Sequence, residues 1–290
     1  MNRNAIAPLI KELAGLDIAH YRTLSGGSVA NVVRVDLTDG RSLVIKQSSM
    51  TNTDLEIEAR MLRYFARHSP IACPSVLYAD HNCLVMDFIA NDNQMTHMVQ
   101  RDLATQLAAQ HQVTSKSFGL EFDTLIGGLH QPNKESKSWI AFFGECRLRH
   151  MAHAARKEGK LPPAITTRID RLIDRLIDRL DCHIEDKPAA VLLHGDLWGG
   201  NILCQNGHLT GLIDPAIYYG DREVELAFGT LFGDLGADFF DRYTEILPIE
   251  SGFLEERRDL YNLYPLLVHV RLFGGSYVGA VENILARFGY

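Results

Sequence analysis

Three polar side chains stand at fixed spacings among apolar segments in the stretch 191–215. Asp196 lies five residues before Asn201, and Asp214 follows Asn201 by thirteen residues. In phosphoryl transfer, one Asp of such a set accepts the proton of the attacking hydroxyl, while the Asn and the second Asp hold magnesium. Oxygen ligands suit a hard cation of this kind. The spacing therefore predicts Asp196 as the catalytic base and Asn201 with Asp214 as ligands of Mg²⁺.

Short apolar segments must position these side chains. Three of them predict strands: 191–193, 201–204 and 209–213. Asn206-Gly207 predicts a hairpin turn between the last two strands. Asp and Asn are also common turn formers, so Asp196 and Asn201 alone would leave a purely structural role open. Asp214 at its spacing favours the chemical interpretation, and we expect all three polar residues to meet at one edge.

A glycine-bearing hairpin near the N-terminus could cover nucleotide phosphates. Gly26, Gly27 and Ser28 precede an alternating strand at 33–37, and the return strand carries Lys46. Two glycines in a turn are weak evidence alone. In kinases, the backbone N–H groups of such a loop cover the phosphates, and a strand Lys pairs with them while a helix Glu holds that Lys. We therefore expect Gly26, Gly27, Ser28 and Lys46 to bind the nucleotide.

Two glutamates compete as the partner of Lys46. Glu58 lies three residues after Leu55 and four before Leu62, which places it on the apolar face of a predicted helix. Glu56 shares its face with arginines instead. A carboxylate on a buried face needs a cation or hydrogen bonds, because burying it unpaired costs roughly several kcal/mol. The pattern favours Glu58 as the partner of Lys46, and the alternative is that Glu58 reaches water at the helix boundary.

The catalytic segment resembles one family in particular. The residues that carry this resemblance are His194-Gly195-Asp196-Leu197-Trp198-Gly199-Gly200-Asn201, then Asp214-Pro215-Ala216 and Tyr219-Gly220-Asp221-Arg222-Glu223. They are similar to the fructosamine kinase (ketosamine kinase) family, which is related to the aminoglycoside and choline phosphotransferases, and the resemblance covers nearly the whole chain. It implies a two-lobed, protein-kinase-like α+β fold. The sheet-rich N-terminal lobe would span residues 1–89, and the mainly helical lobe residues 90–290.

The resemblance also implies an activity and an adenine site. The activity would be ATP-dependent phosphorylation of a sugar hydroxyl on a ketosamine, a sugar joined to an amine, either free or protein-linked. In this fold the backbone between the lobes hydrogen-bonds the adenine edge. Asp87, Phe88 and Ile89, which follow a buried-strand pattern, are therefore the candidate adenine contacts.

Further residues of the family pattern could contact the acceptor. Trp198 lies two residues after the proposed base, where its ring could form a wall against the sugar or simply pack the loop. Tyr219, Asp221 and Arg222 follow the second Asp and could reach the acceptor. In the alternative interpretation, Asp221 caps a helix and Arg222 forms a surface ion pair.

Composition bounds the other possibilities. The 290 residues are 46% hydrophobic and carry a net charge of −7, which favours neither nucleic acid nor an anionic membrane as a partner. Five cysteines without a Cys-x-x-Cys pair suit free thiols. No stretch reaches the roughly 18 apolar residues of a membrane span, and the N-terminus lacks a signal-peptide core. We expect a cytoplasmic protein.

Two rival functions stay open from the sequence. One is phosphotransfer to a different small alcohol, such as choline or an aminoglycoside, which Trp198 disfavours. The other is a nucleotide-binding scaffold without catalysis, although such scaffolds often lose a member of the Lys, Asp, Asn, Asp set. All four residues of that set are present here.

Overall fold

The N-terminal part of the chain forms an antiparallel five-stranded sheet. A computed structural model describes residues 3–24, 30–48, 54–176 and 188–290. The strands span Ile18–Thr23 (β1), Ala30–Leu37 (β2), Ser42–Ser48 (β3), Val76–Ala79 (β4) and Cys83–Asp87 (β5). Their order in the sheet is β1-β2-β3-β5-β4.

Alternation along β3 assigns its side chains to two faces of this sheet. Leu43 and Ile45 pack on one face with Ile6 and Ile10 of the N-terminal helix Arg3–Ala14. Val44 packs on the other face in a separate apolar cluster. Because successive strand residues point to opposite faces, Lys46 shares the face of Val44.

The helix Leu55–His68 covers that second face. Leu55, Ala59 and Leu62 bury their side chains in the same cluster as Val44. Asp54 caps the helix by accepting a hydrogen bond from the N–H of Glu56. The apolar stripe predicted from the sequence therefore faces the strand that carries Lys46.

Helices predominate after the sheet, together with small β-elements. The described helices are His97–Gln110, Trp139–Phe142, His150–Lys157, Pro163–Asp174, Arg222–Leu231, Ala237–Ile246, Arg258–Phe273 and Val278–Arg287, with π-helical turns at Phe143–Arg149 and Phe253–Arg257. The remaining strands are Thr114–Ser115 (β6), Thr124–Ile126 (β7), Leu129–Gln131 (β8), Ala190–Leu193 (β9), Ile202–Gln205 (β10), His208–Leu212 (β11) and Tyr218–Gly220 (β12). The architecture is α+β as predicted, and the exact lobe boundary at residue 89 stays a prediction.

The predicted catalytic hairpin is present. Strands β10 and β11 pair antiparallel across Asn206 and Gly207, which have φ values of 53° and 82°. A tight type I′ turn requires two consecutive left-handed residues, so the hairpin turn predicted at Asn206-Gly207 is present. Asn201 lies in the 3₁₀ turn Gly199–Asn201 ahead of β10, one residue outside the strand.

Within the described ranges, no helix has both the length and the apolar character needed to cross a membrane. The four cysteines that these ranges contain, Cys73, Cys83, Cys146 and Cys204, are free thiols.

Candidate active site

A cleft of about 280 Å³ lies between the sheet and the loops around β9–β11. It is lined by nine of the residues singled out from the sequence: Lys46, Glu58, Asp87, Phe88, Ile89, Asp196, Trp198, Asn201 and Asp214. Gly26, Gly27 and Ser28 lie outside the described residues, so their proposed role in phosphate binding stays a prediction. The fold thus brings residues from distant parts of the chain into one cavity.

Lys46 lies between two carboxylates in this cleft. Its Nζ donates to Glu58 Oε1 at 2.6 Å and also to Asp214 Oδ1. Burial of the ammonium opposes its charge, but the neighbouring carboxylates of Asp214 and Glu58 outweigh burial and raise the pKa of Lys46. Glu56 points to the solvent beside His81. The pairing of Lys46 with Glu58 rather than Glu56 is therefore present as predicted.

Asp214 adopts a backbone conformation that is unusual for a side-chain-bearing residue. Its φ is 55°, in the left-handed region that few residues other than glycine, Asn and Asp adopt. The adjacent carbonyl of Ile213 accepts a hydrogen bond from His194 Nε2 at 2.9 Å. Burial lowers the pKa of His194, so the ring is neutral and its Nδ1 is free to accept the Asp196 N–H at 3.3 Å. One histidine thus connects the loops of Asp196 and Asp214.

Asp196 and Asn201 are in direct contact. The Asn201 side-chain N–H₂ donates to the Asp196 carbonyl at 2.8 Å and to its Oδ2 at 3.0 Å. Burial, and then the negative charge of Asp214, raise the pKa of Asp196 to about 7. A carboxylate with a pKa near neutrality suits proton transfer at physiological pH.

The side-chain oxygen atoms of Asn201 and Asp214 that bind no other described residue are suitable for a hard cation. Because its amide nitrogen is held by Asp196, Asn201 presents Oδ1, which accepts no hydrogen bond from any described residue. Asp214 uses one carboxylate oxygen for Lys46, and about a third of its side chain is exposed. Asn201 and Asp214 line the same cleft, so these two side chains are suitable ligands for Mg²⁺.

The segment 87–89 lies on the other side of the cleft. The N–H groups of Asp87 and Phe88 donate to carbonyls of Ser75 and Ser42, at 3.0 and 3.2 Å. Among the described residues, none accepts a hydrogen bond from the N–H of Ile89. Ile89 is therefore the residue of this segment whose backbone can donate to a ligand.

Trp198 forms part of the cleft wall beside Asp196. Its side chain is 39% exposed, and its ring packs directly on Gly200, since a Cβ at Gly200 would lie 2.2 Å from the ring. The ring therefore packs its own loop and also faces the cavity. The packing role raised from the sequence is therefore present, and contact of the ring with a sugar stays a prediction.

Tyr219 and Arg222 lie outside the cleft lining. Tyr219 is buried because β12 pairs with β9, and its hydroxyl lies 3.3 Å from that of Tyr64. Arg222 donates to the backbone carbonyls of Leu247 and Pro248. Both side chains thus make contacts within the protein, and their proposed contact with the acceptor stays a prediction without support from the cleft lining.

Asp221 also lies outside the cleft lining. Its side chain caps the helix Arg222–Leu231 by accepting from the Glu223 N–H at 3.0 Å, and it accepts from the Tyr261 hydroxyl at 2.6 Å. Both hydrogen bonds come from groups within the protein, and the residue is buried. The capping alternative raised from the sequence is the one that the structure contains.

Glu225 supports the catalytic loop and was not singled out from the sequence. Its Oε1 accepts the N–H of Gly195 at 2.7 Å, and its Oε2 lies 2.9 Å from His111 Nε2. His111 Nδ1 lies 2.6 Å from the Tyr243 hydroxyl. The sequence could have indicated Glu225, because a carboxylate at a buried position of the helix Arg222–Leu231 requires a polar partner.

Comparison with solved structures supports the fold. The crystal structure of a putative fructosamine-3-kinase from Thermobifida fusca is similar with a TM-score of 0.85 and 30% identity, covering 99% of this chain and 100% of the other. An aminoglycoside phosphotransferase, APH(4)-Ia, shares the fold with a TM-score of 0.67 at 18% identity, covering 98% and 99%. Fold and site together define a phosphotransferase of the protein-kinase-like class.

Sequence relatives narrow this class. A family model described as fructosamine kinase matches residues 2–288. A probable ketoamine kinase from Synechocystis sp. is 38% identical over 294 residues, covering 97% of this chain and 95% of the relative. The chain belongs to the fructosamine kinase family.

Proposed function

We propose that this protein transfers the γ-phosphoryl group of ATP to a sugar hydroxyl of a ketosamine of the fructosamine or ribulosamine type, free or protein-linked. One observation carries the proposal: Lys46, Asp196, Asn201 and Asp214 line a single cleft, with Trp198 beside the base, in a chain of this family. A phosphotransferase needs this set because its catalysis is mostly positioning and charge neutralisation.

The nucleotide would occupy the part of the cleft under the sheet. The adenine edge would bond to the backbone at Asp87–Ile89, where the Ile89 N–H is free, between apolar side chains such as Val44 and Leu203. Lys46 would bind the phosphates while Glu58 fixes its position. Gly26, Gly27 and Ser28 would cover the phosphates from above.

Asn201 and Asp214 would hold Mg²⁺ through Oδ1 and the carboxylate. When bound, the ion neutralises charge on the phosphates. Asn201 Nδ2 fixes the carboxylate of Asp196 at 3.0 Å. Asp196 would then orient the acceptor hydroxyl and take its proton at a carboxylate oxygen.

The acceptor would lie against Trp198, on the side of Asp196 away from the nucleotide. An aminoglycoside or choline acceptor is the rival assignment, but the likeness to aminoglycoside phosphotransferases rests on the fold alone. A scaffold without turnover is the second rival. A cytoplasmic location, and the lack of a nucleic-acid or membrane partner, stay predictions.

A panel of acceptors separates these possibilities. Phosphate transfer from ATP with magnesium would be measured to fructosyl-amines, ribulosyl-amines, choline and aminoglycosides, alongside the Kd for nucleotide. We expect turnover with ketosamines. Transfer to choline or an aminoglycoside and to no ketosamine contradicts the acceptor class, and nucleotide binding without any transfer identifies a scaffold.

A further inference from the structure

Four aromatic rings gather at the C-terminal end of the helix Arg258–Phe273. They belong to Phe232, His269, Phe273 and Tyr277, here called the aromatic patch. The His269 ring centroid lies 5.1 Å from that of Phe232, 5.5 Å from Phe273 and 4.9 Å from Tyr277. Phe232 and Phe273 are 44% and 54% exposed. Exposed apolar surface of this kind commonly marks a binding site.

One contact joins the aromatic patch to the lining of the cleft. Gly127 lines the cleft, and a Cβ at Gly127 would lie only 2.8 Å from Cδ1 of Leu272. Leu272 is the chain neighbour of Phe273. The cleft wall at Gly127 therefore rests on the helix turn that carries the patch.

A second contact joins the patch to the loop of Trp198. Gly199 follows Trp198, and a Cβ at Gly199 would lie 2.5 Å from Oδ1 of Asp234. Asp234 is two residues after Phe232 in the chain. The patch is thus connected through Leu272 to the cleft lining at Gly127, and through Asp234 to the residue that follows Trp198.

The charges around the patch suit an amine. Asp234 is partly exposed, and its buried Oδ2 has no hydrogen-bond partner among the described residues. The Nδ1 of His269 donates to the Pro265 carbonyl at 2.7 Å, and burial lowers the pKa of His269, so the patch itself is uncharged. A carboxylate beside neutral aromatic rings is favourable for a protonated amine that carries an apolar group.

We infer that the aromatic patch binds an apolar or aromatic substituent on the amine of the acceptor, with Asp234 beside the protonated amine. This inference rests on the proposed ketosamine kinase activity. The sugar would lie at Asp196 and Trp198, and the amine substituent would extend from it across the Gly199 loop onto Phe232 and Phe273. Ketosamines with large apolar amine substituents should then be better acceptors than those with small ones.

Two matched acceptors test the inference: the fructose derivatives of benzylamine and of methylamine. Both carry the same ketose and a secondary amine, and they differ only in the phenyl group. We expect kcat/KM of the wild type to be about tenfold higher for the benzylamine derivative, which corresponds to one good aromatic contact. The double variant Phe232→Ala/Phe273→Ala should bring this ratio close to one by slowing the benzylamine derivative. Both side chains are exposed, so the variant should fold.

Leu254→Ala is the matched control. Leu254 is an equally exposed apolar residue, 53% accessible, and it lies before the N-terminal end of the helix that carries the patch at its C-terminal end. This variant should keep the wild-type ratio. In a second arm, Asp234→Asn should raise KM for both derivatives by a similar factor and leave the nucleotide Kd unchanged.

The outcomes separate this inference from the function on which it rests. A wild type that phosphorylates both derivatives equally well, or a double variant that keeps the preference, overturns the assignment of the patch. An unchanged KM in Asp234→Asn overturns the role of that carboxylate. If the wild type phosphorylates neither derivative nor any other ketosamine, the proposed function fails, and the inference fails with it.

Discussion

The Gly195 N–H donates to Glu225 Oε1 at 2.7 Å, which ties the residue before the proposed base to the helix Arg222–Leu231. Glu225 is buried and its second carboxylate oxygen contacts His111. Gly195 itself has a φ of 83°, and a Cβ there would lie 2.2 Å from the Ala216 carbonyl oxygen. The position of Asp196 thus depends on Gly195, where no larger residue fits, and on the buried carboxylate of Glu225.

Glu225→Ala should therefore reduce both stability and turnover. The substitution leaves the Gly195 N–H and His111 without their partner, and breaking a buried charged contact of this kind costs about 3 kcal/mol. We expect a lower free energy of unfolding in urea and a lower kcat. Glu225→Gln keeps an acceptor for Gly195, so its kcat should recover toward wild type. A Glu225→Ala variant with wild-type stability and kcat would show that this contact does not position the loop.

Glu58→Ala should lower kcat/KM for ATP by about tenfold to a hundredfold. The variant removes the 2.6 Å hydrogen bond to Lys46, and a hydrogen bond to a charged group contributes about 1.5–3 kcal/mol. Glu56→Ala is the matched control on the same helix, because Glu56 is exposed and should be nearly silent. Steady-state kinetics of the two variants decides the matter, and a larger loss in Glu56→Ala contradicts the geometry.

Asp214→Asn should weaken the dependence on magnesium without distorting the backbone. Asn tolerates the left-handed φ of 55° at this position, whereas Ala would add strain to the loss of the ligand. We expect the magnesium concentration for half-maximal activity to rise by about tenfold or more, as a charged ligand is lost. A magnesium titration at fixed ATP measures this. An unchanged titration curve would contradict the assignment of Asp214 as a magnesium ligand.

Trp198→Ala should affect the acceptor more than ATP. Since the ring faces the cleft beside Asp196, its loss should raise the ketosamine KM or lower kcat several-fold, roughly the worth of one aromatic contact. The nucleotide Kd should change little. The ring also packs on Gly200, so Tm must be measured in parallel. Equal damage to both ligands together with a lower Tm would indicate a packing role alone.

Local patterns predicted the centre of the site but not its surroundings. The apolar stripe around Glu58 and the Asn206-Gly207 turn are short-range signals, and both correspond to the structure. Glu225 and His111 are 114 residues apart, and no local period indicates that they meet. Asp234 likewise lies in a loop whose contact with Gly199 depends on the tertiary fold.

Tyr219, Asp221 and Arg222 show the limit of transferring a sequence motif to a role. These residues follow Asp214 closely in the chain, and this position suggested that they contact the acceptor. Pairing of β12 with β9 buries Tyr219, and the start of the next helix requires Asp221 as its cap. The helix cap at Asp221 was readable from the sequence, whereas the pairing of β12 with β9 and the contacts of Arg222 depend on the tertiary fold.

The kinetics of Asp196→Asn with a ketosamine acceptor test the central claim most directly. Asn keeps the size of the side chain but cannot accept the proton of the hydroxyl, and loss of a general base commonly lowers the rate by about 10²–10⁴-fold. The kcat and the nucleotide Kd should be measured on the same preparation. We expect kcat to fall by that factor while the Kd for ATP stays near the wild-type value. A variant that phosphorylates the ketosamine at the wild-type rate would contradict the assignment of Asp196 as the base.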